Sequence, residues 1–127
     1  MSAKRVLSVG QCFADHSRIS RTFEQSFGAE VVGVDTTLEA LAKLRAEPFD
    51  LVLVNRVCDA DGSPGLELVR QVKGDEALKQ TPVRLVSNYD DAQREAVAAG
   101  AELGFGKASL GAPQMINRVK GVLGKLV

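Results

Sequence analysis

The chain has 127 residues, close to the roughly 150 of a typical domain, so one domain over residues 1–127 is expected and a second has no room. Apolar residues make up 45% and charged residues 25%, ordinary globular proportions that exclude a disordered tail, a collagen-like repeat or a disulfide scaffold. The 16 Lys and Arg cancel the 16 Asp and Glu, so no charge excess points to nucleic acid, a membrane surface or an acidic ligand.

The first apolar segment, 5–9 (RVLSV), is short and Val- and Leu-rich, and it reads as a strand. It breaks at Ser8 and Gly10, which leaves no signal-peptide core, so a cytoplasmic protein is expected. Ile19, Phe23 and Phe27 then recur at helical spacing and stop at Gly28, a residue suited to a left-handed helix end. A second strand, 29–34 (AEVVGV), leads to a helix that Thr36 caps and Glu39 completes as a capping box, with Leu38, Leu41 and Leu44 inward before Pro48. The third strand, 50–54 (DLVLV), contains the longest aliphatic run, far too short to span a bilayer. Ser63-Pro64 reads as a cap with proline at the first helical position, and Leu66, Val69 and Val72 line up before Gly74. A fourth strand, 82–86 (PVRLV), holds a charge, Arg84, which must reach an edge or find a partner. An Ala-rich helix over 91–99 ends at Gly100. A fifth strand, 102–105 (ELGF), precedes a last helix after Pro113 with Ile116, Val119, Leu123 and Leu126 on one side.

Strand and helix alternate five times, which predicts a doubly wound, flavodoxin-like α/β fold. Its parallel sheet has the order 2-1-3-4-5, with helices on both faces. Any ligand site then lies at the carboxyl ends of the central strands. Those ends bring together Gly10-Gln11-Cys12, Asn55-Arg56, Ser87-Asn88 and Gly106-Lys107.

At these residues the whole chain resembles a CheY-like receiver domain of bacterial response regulators. The resemblance is carried by DLVLVN ending at Asn55, PVRLVSN with Ser87, and AGAELGFGK with Lys107. It implies an acidic Mg²⁺-binding pair after the first strand, a phosphoacceptor aspartate ending the third, and a hydroxyl and a lysine contacting the phosphoryl group. Residue by residue, the pair falls on Gly10 and Gln11, the phosphoacceptor on Asn55, the hydroxyl on Ser87 and the lysine on Lys107. Only the last two match. Mg²⁺ needs hard anionic oxygens that Gly10 and Gln11 do not supply, and a carboxamide cannot be the nucleophile of an aspartyl-phosphate. The position of the aromatic switch residue is Gly104, and Ala108 stands where the family commonly has proline.

The chain is therefore expected to be a degenerate pseudo-receiver. It has no catalytic residue, no metal and no cofactor, and it acts as an interaction or targeting module for a signalling protein partner. No nucleic acid and no membrane are involved, and it is a monomer or weak homodimer. The resemblance puts the partner surface on Arg94, Val97, Glu102, Gly104, Gln114, Asn117 and Arg118. The alternative is an atypical receiver still regulated by phosphorylation or by a small ligand at the strand ends. In the vacated pocket, Asn55 is expected to hydrogen-bond Lys107 or Ser87. The lysine tip reaches water or pairs with Asp15, Asp59 or Asp61. Cys12 and His16 stand four apart, but without a CxxC they and Cys58 are expected to be plain side chains, with two unlinked thiols. No GxGxxG or P-loop follows the first strand, which argues against nucleotide binding.

Overall fold

A computed structural model describes residues 3–123, so Leu126 of the last predicted helix lies outside the described residues. The elements run β1 (Arg5–Val9), α1 (Phe13–Phe27), β2 (Glu30–Val34), α2 (Thr37–Ala46), β3 (Leu51–Asn55), α3 (Gly65–Lys73), β4 (Val83–Val86), α4 (Asp90–Ala98), β5 (Glu102–Phe105) and α5 (Pro113–Leu123). All five strands are parallel in the order β2-β1-β3-β4-β5, as the alternation predicts. Successive strand residues point to opposite faces, so the sheet feeds two apolar layers. Leu7, Val9, Val52, Val54, Val83 and Leu85 face α2, α3 and α4, where they meet Leu41, Leu44, Leu68, Val69, Val72 and Ala96. Val6, Leu51, Leu53, Val86 and Phe105 face α1 and α5, against Ile19, Phe23, Phe27, Met115, Val119 and Leu123.

Helix ends follow local chemistry in two cases and depart from it in two. Gly28 adopts φ 64° and donates to Glu24 O, and Thr36 accepts from Glu39 N at 3.2 Å. Leu38, expected inward, is 79% exposed, because α2 seats Ala40, Leu41 and Leu44 and turns its first turn outward. Ser63 does not cap α3. It donates its N–H and its hydroxyl to Asp61 Oδ1, while Val57 and Pro64 pair as an antiparallel bridge, so Pro64 takes the cap position and the helix begins at Gly65. A short 3-10 turn, Lys107–Ser109, follows β5 and was not expected. It fixes the backbone that carries the lysine. Among the described residues no helix is long and apolar enough to cross a membrane.

Candidate functional site

The end of β1 is where the receiver resemblance is tested first. Gly10 has φ 76°, and a Cβ there would lie 2.7 Å from Cys58 Sγ and 2.9 Å from Cys58 Cα. The loop after β3 is thus packed into the space an acidic side chain would need. Two hydrogen bonds fasten that loop to the Gly10 carbonyl, one from Asn55 Nδ2 at 3.0 Å and one from Asp59 N at 2.9 Å. Asn55 therefore bonds neither Lys107 nor Ser87, contrary to the sequence expectation. Its amide N–H finds a carbonyl that a carboxylate could not have used.

Asn55, Ser87 and Lys107 do line one open cavity of about 310 Å³, together with Arg56, Asn88 and Tyr89. Ser87 is buried, and its Oγ accepts from Tyr89 N at 3.1 Å. Lys107 Nζ lies 2.7 Å from Asp15 Oδ2, so of the partners considered from the sequence it takes Asp15, in the first turn of α1. The ammonium is the main cause that holds the Asp15 carboxyl below its usual value. The Cys12 thiol and Arg18 act the same way, while burial opposes them. Gln11 does not join this cavity. It is 8% exposed, its Nε2 reaches Val9 O at the limiting distance of 3.5 Å, and it lines a second cavity between β1, β2 and α1.

These residues do not fit Mg²⁺. Gly10, Gln11 and Asn55 offer neutral groups where a hard cation needs carboxylates, and Asp15 is already neutralised by Lys107. Among the described residues no three His, Cys, Asp or Glu side chains are grouped to hold a metal ion, and Cys12 and Cys58 are unlinked.

Sequence reasoning missed one member of the site, Tyr89. The Arg56 guanidinium, expected at the strand ends, stacks over the Tyr89 ring at 4.8 Å, and both border the cavity. An aromatic residue just after Ser87-Asn88 was the available signal. Asn88 Oδ1 accepts from Ala108 N at 3.2 Å, a donor that proline in that position could not provide.

On the α4–β5–α5 side, Gly104 is buried and does not belong to a surface as expected. Its ideal Cβ would fall 1.9 Å from Leu85 O, because the β4–β5 register is irregular between Arg84 and Val86. Gln93 pins this region from α4. Its Nε2 donates to Leu85 O at 3.0 Å and Ser87 O at 3.1 Å, and its Oε1 accepts from Gly104 N at 3.0 Å. Arg84, 5% exposed, donates to Leu103 O, to Glu102 Oε2 at 2.8 Å and to Arg118 O at 3.1 Å. The strand charge thus both reaches the edge and finds partners. Arg118 is half-buried and donates to Gly104 O at 2.6 Å, so it is a structural strut as well as a surface group. Arg94, Gln114 and Asn117 are exposed, Arg94 pairs with Asp91, and Val97 and Leu103 leave nearly half their surface in water.

No protein-family model matches the sequence, and no curated protein matches it. Solved structures do match. A chain from Chloroflexus aurantiacus J-10-fl assigned as a response regulator aligns with a TM-score of 0.84 at 19% identity, over 98% of this chain and 100% of that one. The phosphorylated cyanobacterial phytochrome response regulator RcpA aligns with a TM-score of 0.76 at 23% identity, over 98% and 99%. The receiver domain of Francisella response regulator 1452 aligns with a TM-score of 0.78 at 18% identity, over 94% and 96%. The strand order, the helix placement and the solved structures agree: the chain has the fold of response-regulator receiver domains.

Proposed function

We propose that this chain is a receiver-type domain that has lost phosphotransfer and serves as a protein-interaction or targeting module in two-component-type signalling, with no catalytic residue of its own. The observation that carries the reading is the hydrogen bond from Asn55 Nδ2 to Gly10 O, in a place where the chemistry of phosphoryl transfer needs a carboxylate and a metal. Three further features support it. Lys107 is committed to Asp15, Cys58 occupies the space at Gly10, and Gln93 ties β4 and β5 to α4 where a receiver would need a movable aromatic. A surface fixed by such bonds presents one shape to its partner, so the interaction is constitutive. The surface comprises Arg94, Val97, Gln114 and Asn117, with the edge of β5 between the helices.

The test is exposure to acetyl phosphate with Mg²⁺, read by intact mass and by titration of the amide spectrum. No gain of a phosphoryl group and no saturable Mg²⁺ response are expected. A stable mass gain would show that the pocket still transfers phosphate and would overturn the reading.

A further inference from the structure

The cavity that Gln11 enters is separate from the Asn55–Ser87–Lys107 cavity and carries chemistry of its own. It measures about 460 Å³, a size suited to a small molecule. Two buried oxygens in its walls lack hydrogen-bond partners: Ser8 Oγ, on a residue 1% exposed, and Gln11 Oε1, on a residue 8% exposed. Buried polar groups are rarely left unpaired, so these two mark a place where donors are wanted. Asp35 and Asp59 stand exposed at the rim, and among the described residues neither has a cationic side chain within ion-pair distance. The His16 imidazole lies over Gly33, where a Cβ would come within 2.7 Å of Cε1, and its Nε2 is 3.4 Å from Ser20 Oγ. The Phe13 ring, 87% exposed, completes the mouth.

Taken together, the free groups are acceptors, a hydroxyl and an imidazole, two of the acceptors are anionic, and one aromatic face is open. Phosphate or carboxylate ligands would meet like charge. A metal ion would lack ligands, since no grouped set of His, Cys, Asp and Glu exists among the described residues. What remains is a cation that brings its own N–H donors and can lie against an aromatic ring. We propose that the cavity formed by Ser8, Gln11, Phe13, His16, Asp35 and Asp59 binds a small organic cation bearing N–H donors, an alkylammonium or a guanidinium. This goes beyond the interaction-module reading and does not depend on it, because the two sites share no side chain.

The experiment titrates the labelled protein with 1,4-diaminobutane and with methylguanidinium at constant ionic strength, and tetramethylammonium serves as a cation without N–H donors. Saturable shifts are expected at the Gln11 side-chain amide and at the backbone amides of Gly33, Asp35 and Asp59, with tetramethylammonium at least about tenfold weaker. In the Asp35→Asn, Asp59→Asn double variant, whose altered side chains are exposed, melting should stay as in wild type while affinity falls about tenfold or more. The proposal is overturned by the absence of saturable shifts, by an equal response to tetramethylammonium, by shifts confined to the Asn55 cavity, or by undiminished binding in the double variant.

Discussion

Asn55 places an amide donor where a carboxylate could only accept. Its Nδ2 donates to Gly10 O across 3.0 Å, so Asn55→Asp sets an acceptor against an acceptor in a half-buried place. The variant should lose about 1–3 kcal/mol in urea unfolding and remain unlabelled by a phosphodonor. Restoring an acid at residue 10 is blocked as well, because φ 76° and the contact with Cys58 admit no side chain without backbone movement. Efficient labelling of Asn55→Asp alone would reveal a metal ligand outside this account, with Asp59 the first to examine. Asp15 supports a prediction in pH. Lys107 depresses its carboxyl, so the folded protein holds the ionised form to lower pH than the unfolded chain does. The stabilisation is present above the ordinary carboxylate pKa of about 4 and is lost as pH falls through the depressed folded value. Denaturation at a series of pH values should therefore show a shallower loss below about pH 4 in Asp15→Asn than in wild type. Equal slopes would mean that the ion pair contributes nothing.

Elements carry the next level of constraint, and α4 is the clearest case. It buries only Gln93 and Ala96, so an amide, with hydrogen bonds to Leu85 of β4, Gly104 of β5 and Ser87 just past β4, does much of the holding that aliphatic side chains do for α3. Gln93→Ala should cost about 2 kcal/mol or more, since it strands buried backbone groups, and should speed hydrogen exchange at Gly104. Unchanged exchange there would place the restraint elsewhere. None of this was readable from the pattern, because a polar residue on an Ala-rich helix looks solvent-facing until the register of β5 is known. Strand identity and order, by contrast, were legible: five short aliphatic runs separated by helical spacing admit few other arrangements. Ser87 and Lys107 fall in one cavity for the same reason, as both follow strand ends. The partner of Asn55 was not legible, because it depends on how the loop after β3 folds back, with Cys58 N donating to Ser63 O and Val57 bridged to Pro64. Leu38 failed at a smaller scale. Leu41 and Leu44 are buried as the helical phase predicts, but α2 adds Ala40 to its buried side and leaves Leu38, in the first turn, outside.

At the scale of the whole molecule, the Asn55–Ser87–Lys107 cavity and the exposed face make different demands, and parallel variants can separate them. Asn55→Ala removes one hydrogen bond and should cost about 1 kcal/mol, since Gly10 O keeps the Asp59 N–H, while leaving partner binding intact. Arg94 is exposed and paired only with Asp91 on its own helix, so Arg94→Glu should change stability by less than about 0.5 kcal/mol. Yet it should weaken partner capture, because a reversed charge on the rim of an interface slows association and meets like charge. Arg118 does not belong in the same comparison. It donates to Gly104 O beneath the face, so Arg118→Glu would disturb β5 and confuse lost folding with lost binding. Val97→Asp is the better second probe, since nearly half of Val97 is in water and the change places a charge where an apolar contact is expected. Melting and partner capture from lysate, measured together for Asn55→Ala, Arg94→Glu and Val97→Asp, should show a destabilised binder and two stable non-binders. If Asn55→Ala abolishes capture at unchanged stability while the two surface variants capture as wild type does, the pocket is the working site and the face is not.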